Sequence, residues 1–189
     1  MDGLWTAGTM VDAVRIMSMA GEAPEAIVVG VSFAEDRMSE YMRQRARWFS
    51  PTPWEPPEAA GVKDISAEEC GRADEHMGFV IDQLLPWLDA QHTTGDRWFY
   101  GHSFAALFGL RILFETPSTF NKWILASPSI WWDNRSIMAF EQRYAMNNDD
   151  LPASVFFSTG ERETDEELLA IHTEPVSYTH LTLPTTPYV

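Results

Sequence analysis

The residue with the clearest chemical potential is Ser103, in the pentapeptide Gly101-His102-Ser103-Phe104-Ala105. The pattern is small-x-Ser-x-small, the spacing of a nucleophile elbow. A serine pushed out on a tight strand-to-helix turn adopts strained backbone angles and exposes its hydroxyl. Residues two before and two after it must then be small, or strand and helix collide. Gly101 meets that demand, and Ala105 adds only one methyl group where glycine is usual. A hydroxyl so placed can attack a carbonyl carbon and form an acyl intermediate. Gly and Ser also occur at ordinary strand-helix junctions, so the flanks decide. Arg97 to Tyr100 is a β-favouring run, and Ala105 to Phe114 favours helix without internal proline.

The elements that must position this serine follow from periodicity. Residues 1–8 read as a loop. Met10, Val11, Val14, Met17 and Met19 recur at helical spacing from Thr9 to Ala20, and Gly21 stops the run. Ala26 to Phe33 is a nearly continuous β-branched run, the signature of a strand buried on both faces of a parallel sheet. Residues 34–65 are polar, aromatic and proline-rich, and too long for an ordinary connection. They read as a functional loop; the alternative, a disordered linker, fits poorly with Trp48, Phe49 and Trp54. A helix is expected from Ala73 to Gln91 with a kink or break at Pro86. Beyond the elbow, Lys122 to Ser127 is a strand running into the turn Ser127–Asp133. Ser136 to Met146 is a helix and Ser154 to Thr159 a strand. Gly160–Glu163 is the turn that follows, and Glu166 to Ile171 starts a helix. Alternation of this kind predicts an α/β fold with a parallel sheet. Right-handed crossovers then gather the strands' carboxyl ends on one edge, where ligands bind. Ser103, the Ser127–Trp132 turn and the Gly160–Glu163 turn all fall on that edge.

The 189 residues, 45% hydrophobic and 13% aromatic, suffice for one globular core. A formal net charge of −15 disfavours a nucleic-acid partner. The lone cysteine, Cys70, excludes an internal disulfide. No apolar run approaches the ~20 residues of a membrane span. The first residues lack a signal peptide's basic and apolar regions, which favours the cytoplasm unless such a signal precedes Met1. No metal-ligand cluster is visible and a serine mechanism needs no cofactor, so none is expected.

The order of motifs resembles the putative-esterase family of α/β-hydrolases. That family includes esterase D-like enzymes, the trilactone esterases that open siderophores such as enterobactin and, more distantly, the mycolyltransferases. The matching pieces are Asp2-Gly3-Leu4, the strand Ile27–Val31 and the Arg-rich, Pro-Thr stretch Arg45-Ala46-Arg47-Trp48-Phe49-Ser50-Pro51-Thr52. Gly71 to Leu88, Gly101 to Ala106, Ser127-Pro128-Ser129-Ile130-Trp131-Trp132 and Gly160-Glu161-Arg162-Glu163 complete the set. The resemblance implies an α/β-hydrolase three-layer sandwich with a mostly parallel sheet, incomplete at both ends. It implies a serine hydrolase acting on a small-molecule carboxylic ester.

The same resemblance implies roles. Ser103 is the nucleophile, and the N–H groups of Phe104 and Leu4 form the oxyanion hole. Glu163 is the triad acid, with Glu161 as second choice; both also suit an acidic helix start. Trp131 and Trp132 line the acyl site or belong to the core. Arg43, Arg45 and Arg47 meet an anionic substrate or form a solvated basic face, with Arg45 and Arg47 the chosen contacts. His102 is expected to be a packing residue rather than the base.

The catalytic histidine should follow the acid. His172 falls too early for the family's loop. His180 lies in the uncharged stretch 175–189, which resembles no part of the family and, from Val176 to Thr185, resembles translated sequencing adapter. Residues 1–174 are therefore expected to be a partial hydrolase domain that lacks strands before Asp2 and the histidine after Glu163, and hence weak or inactive alone. An acyltransferase on the same fold and a non-catalytic module of hydrolase fold are the alternatives.

Overall fold

The computed structural model describes residues 1–35, 37–56, 62 and 65–159. The Gly160–Glu163 turn, the helix expected from Glu166, His172, His180 and the boundary at residue 174 lie outside the described residues.

Helix α1 spans Gly3–Met19, so residues 1–8 are helical almost from the start and not a loop. Asp2 caps the helix in the left-handed region (φ 60, ψ 40), and its carbonyl accepts the N–H groups of Trp5 and Thr6 at 3.0 and 3.1 Å. Gly3, which reads as a turn residue, meets a different demand. Its N–H donates to the Val31 carbonyl at 2.8 Å, and a Cβ here would sit 2.6 Å from Gly30 Cα. The run 26–33 forms no strand among the described residues. Ile27 and Val29 are exposed, against the expectation of a buried strand.

Helix α2, Met38–Phe49, occupies the middle of the expected loop. Its buried positions are Tyr41, Arg45, Ala46 and Phe49, a stripe at helical spacing. The stripe was concealed because one of its members is an arginine. After a 3₁₀ turn at Ala67–Glu69 come α3 (Ala73–Gly78), a π-helical segment (Phe79–Leu84) and α4 (Leu85–Gln91). The break expected at Pro86 takes the form of that wider turn. Proline cannot donate to residue 82 and crowds its carbonyl, and one added residue per turn relieves both problems.

Strand β1 is Trp98–His102, followed by α5 (Phe104–Leu113), β2 (Lys122–Ala126), α6 (Trp132–Arg135), α7 (Ile137–Asn147) and β3 (Ser154–Ser158). The strands form one parallel sheet in the order β1-β2-β3, as the alternation predicts. All ten residues of α5 are buried. It packs on β1 and β2, with the Phe108 ring 6.5 Å from that of Phe99. Each Leu or Phe buried in this way contributes about 1.5–3 kcal/mol. Arg111 is tolerated inside because Asp74 and Glu115 each pair with it at 2.9 Å and the Phe140 ring lies 4.4 Å from its Cζ. The opposite sheet face, with Tyr100, Ile124 and Phe156, is half-buried or exposed. Among the described residues, no helix is long and apolar enough to cross a membrane.

Candidate active site at the carboxyl edge of the sheet

Register aligns His102 with Ala126 and Ala126 with Ser158, so the three strands end together. Ser103 follows at φ 58, ψ −118, a region that non-glycine residues occupy only when their surroundings enforce it. The enforcement is visible. The Ser103 N–H donates to the Ala126 carbonyl at 2.9 Å, and the Ser103 carbonyl accepts Ala106 and Leu107 N–H at 3.0 Å each. A Cβ on Gly101 would lie 2.5 Å from the Ala105 carbonyl oxygen, which explains the small residue two places before the serine. The Ser103 hydroxyl is 3.1 Å from that of Ser129, itself buried in the turn after β2. That turn is set by Ser127 at φ 44, whose N–H donates to Ser158 at 2.6 Å.

The start of α1 is tied to the same edge. Arg45 donates from Nε to Asp2 Oδ1 and from Nη2 to Asp2 Oδ2, both at 2.8 Å, and Nη2 also donates to the His102 carbonyl at 3.2 Å. The Tyr41 hydroxyl donates to Asp2 Oδ1 at 3.2 Å, and the Met1 amino group to the Tyr100 carbonyl at 2.6 Å. One guanidinium therefore bridges the residue before Gly3 and the residue before Ser103. Both side chains of the pair are about 95% or more buried. Arg45 thus belongs to no solvated basic face, and its charge is committed within the protein.

The first-turn amides of α1 and α5 complete the edge. Intrahelical acceptors do not exist for such groups. Gly3 N–H is taken by Val31 and Trp5 N–H by Asp2, but among the described residues no acceptor meets the N–H of Leu4 or Phe104. The Leu4 side chain points outward and is exposed, while Phe104 is buried.

Trp132 is fully buried, with Nε1 donating to the Thr52 carbonyl at 3.1 Å. Trp131 is half-buried in a cluster with Phe104 (5.7 Å) and Trp54 (6.2 Å). Arg43 pairs with Glu40 and Glu69, and with Arg47 it borders a shallow recess. His102, expected to pack, is exposed, because alternation along β1 turns it away from the core. Cys70 is buried, which pushes its thiol up to about 12 and leaves it inert at neutral pH. Glu163, Glu161 and both downstream histidines lie outside the described residues. Among the described residues no group of three or more His, Cys, Asp or Glu side chains could hold a metal ion.

Three residues of this edge escaped the sequence reading as participants: Ser129, Asp2 and Tyr41. Asp2 was visible only as part of the Asp-Gly-Leu motif, since a pairing across 43 residues has no periodic signature.

Comparison with known proteins agrees with this geometry. The chain is 38% identical over 81 residues to the siderophore enterobactin esterase of Emericella nidulans, an alignment covering 41% of this chain and 27% of that protein. It is 26% identical over 166 residues to the ferri-bacillibactin esterase BesA of Bacillus subtilis, covering 82% of this chain and 56% of the relative. The solved structure of siderophore hydrolase EstA from Aspergillus nidulans superposes with a TM-score of 0.72 at 27% identity, over 86% of this chain and 56% of EstA. The chain thus spans little more than half the length of BesA and of EstA, and its fold is of the α/β-hydrolase type. A family model described as "Putative esterase" matches residues 2–178, and the chain belongs to that family.

Proposed function

We propose that the protein hydrolyses carboxylic esters of the siderophore class through an acyl-enzyme at Ser103. The observation that carries this reading is the strained elbow, whose hydroxyl stands on the sheet edge where two helices begin with amides that meet no acceptor among the described residues. The names of the relatives favour a siderophore ester or lactone as substrate.

In the first half-reaction Ser103 Oγ attacks the ester carbonyl while a histidine base takes its proton. The charge that develops on the carbonyl oxygen is met by the N–H groups of Leu4 and Phe104, each donor of this kind being worth about 3–4 kcal/mol at the transition state. Collapse expels the alcohol, which the protonated base supplies with a proton, and water then cleaves the acyl-serine by the same steps in reverse roles. Glu163, or Glu161 in its place, orients the base. Neither His172 nor His180, the histidines of this chain that follow the acid, matches the family's histidine position, so turnover by this chain is expected to be weak. Trp131 forms one wall of the acyl site, with Trp132 buttressing it from the core. Arg47 is a cationic contact for an anionic substrate.

Incubation with enterobactin and with p-nitrophenyl acetate, followed by chromatography, tests the reading. Opening of the trilactone that disappears in Ser103→Ala is the expected result. Turnover that survives Ser103→Ala overturns it.

A further inference from the structure

The carboxylate of Asp2 is in an unusual place for a helix N-cap. An N-cap aspartate ordinarily turns its carboxylate onto the N–H of the second or third helical residue, here Leu4 or Trp5. In this protein it makes no capping bond at all. Both oxygens are instead drawn to Arg45 at 2.8 Å, with Tyr41 adding a donor to Oδ1. The backbone agrees, since Asp2 sits in the left-handed region whereas a capping residue is extended. Leu4 N–H is left without an acceptor among the described residues.

We propose that Arg45 is a positioning residue that keeps the Leu4 N–H open by holding the Asp2 carboxylate away from its own helix. Without Arg45 the carboxylate has an alternative within reach. Asp2 relaxes to the extended capping conformation, and its charge occupies the amide that a reaction oxyanion would need. An anion there both blocks the donor and repels the developing charge. A buried ion pair is weak evidence for stability in itself, since desolvation offsets much of its attraction. Its third bond, from Arg45 Nη2 to the His102 carbonyl, fixes the pair against the elbow strand and so sets Leu4 relative to Ser103. The clause about catalysis rests on the proposed esterase reading; the clause about Leu4 does not.

The test compares Arg45→Met, Arg45→Lys and the double variant Asp2→Ala/Arg45→Met. With p-nitrophenyl acetate, Arg45→Met should lose about a hundredfold in kcat with KM within about threefold, the mark of an interaction made in the transition state. Removing the carboxylate as well should return about tenfold or more of that loss, because nothing then occupies the donor. Arg45→Lys, which keeps the charge but not the fork, should fall between, and carries the comparison with Asp2→Ala/Arg45→Lys if Arg45→Met does not fold. Independently of turnover, the Leu4 amide resonance in the Arg45 single variants should move downfield of its wild-type position, and should not in the double variants. If the double variants are as slow as the singles and the Leu4 resonance stays in place, Arg45 only supports the fold and the proposal is overturned. Ester turnover that survives Ser103→Ala overturns the esterase reading without touching this one, and if the wild type turns over no ester the Leu4 resonance alone decides what Arg45 does.

Discussion

Gly101→Ala is the sharpest perturbation of the elbow, because it adds one methyl group and removes nothing. The added Cβ would lie 2.5 Å from the Ala105 carbonyl oxygen, 2.6 Å from its carbon and 2.8 Å from the Ala106 nitrogen. All three are backbone atoms of the first turn of α5, which is buried throughout and held from the Ser103 carbonyl by two hydrogen bonds. No side chain can rotate aside, so relief requires the helix start to move by about 0.5 Å or more, the shift that brings the shortest contact to 3 Å. Overpacking of this kind costs about 1–3 kcal/mol. The serine and the Phe104 N–H ride on the same turn, and misplacement on the ångström scale costs about a hundredfold in rate. Urea denaturation and p-nitrophenyl acetate hydrolysis measure the two effects together. A variant with wild-type midpoint and wild-type kcat would refute the claim that the small residue is a steric requirement of the elbow.

Further expectations follow from single contacts. Ser129→Ala removes the buried hydroxyl 3.1 Å from Ser103 Oγ; one neutral hydrogen bond is worth about 1 kcal/mol, so stability should fall by about that much and kcat by up to about fivefold if the contact also holds Ser103 for attack. An unchanged kcat would show that the contact is incidental. His76 is buried against Phe33, Phe49 and Phe108, and burial pulls its pKa from 6.5 to about 4. The folded state therefore keeps it neutral while the unfolded chain protonates, and stability should drop by up to about 3 kcal/mol as pH falls from 6.5 to 4. Urea midpoints measured across that range should flatten in His76→Phe; an equal slope in the variant would refute the assignment.

What was legible in the sequence was local. The strand, corner and helix from Trp98 to Leu113 lie within 16 residues, so the elbow spacing and the two periodicities sit side by side. Strands β2 and β3 declare themselves by their apolar runs, as does α7 by its spacing. Helix α2 was hidden because its buried stripe includes Arg45, whose partner lies 43 residues away. The first turn of α1 was hidden because Gly3 suggests a turn until Gly30 is seen against it. The run 26–33 illustrates the opposite error, for β-branched composition alone makes no ladder, and among the described residues no strand lies beside it. At the site, the motif order placed Ser103, Leu4 and Phe104 in one list, whereas the Ser129 hydroxyl and the Asp2–Arg45 pair emerge only when separate elements meet.

The central claim, that Ser103 is an activated nucleophile, is tested most directly by intact-mass analysis after treatment with a fluorophosphonate. The account predicts one adduct per chain, mapped by peptide sequencing to Ser103 and absent from Ser103→Ala. An adduct on another residue, or labelling that survives Ser103→Ala, would contradict it.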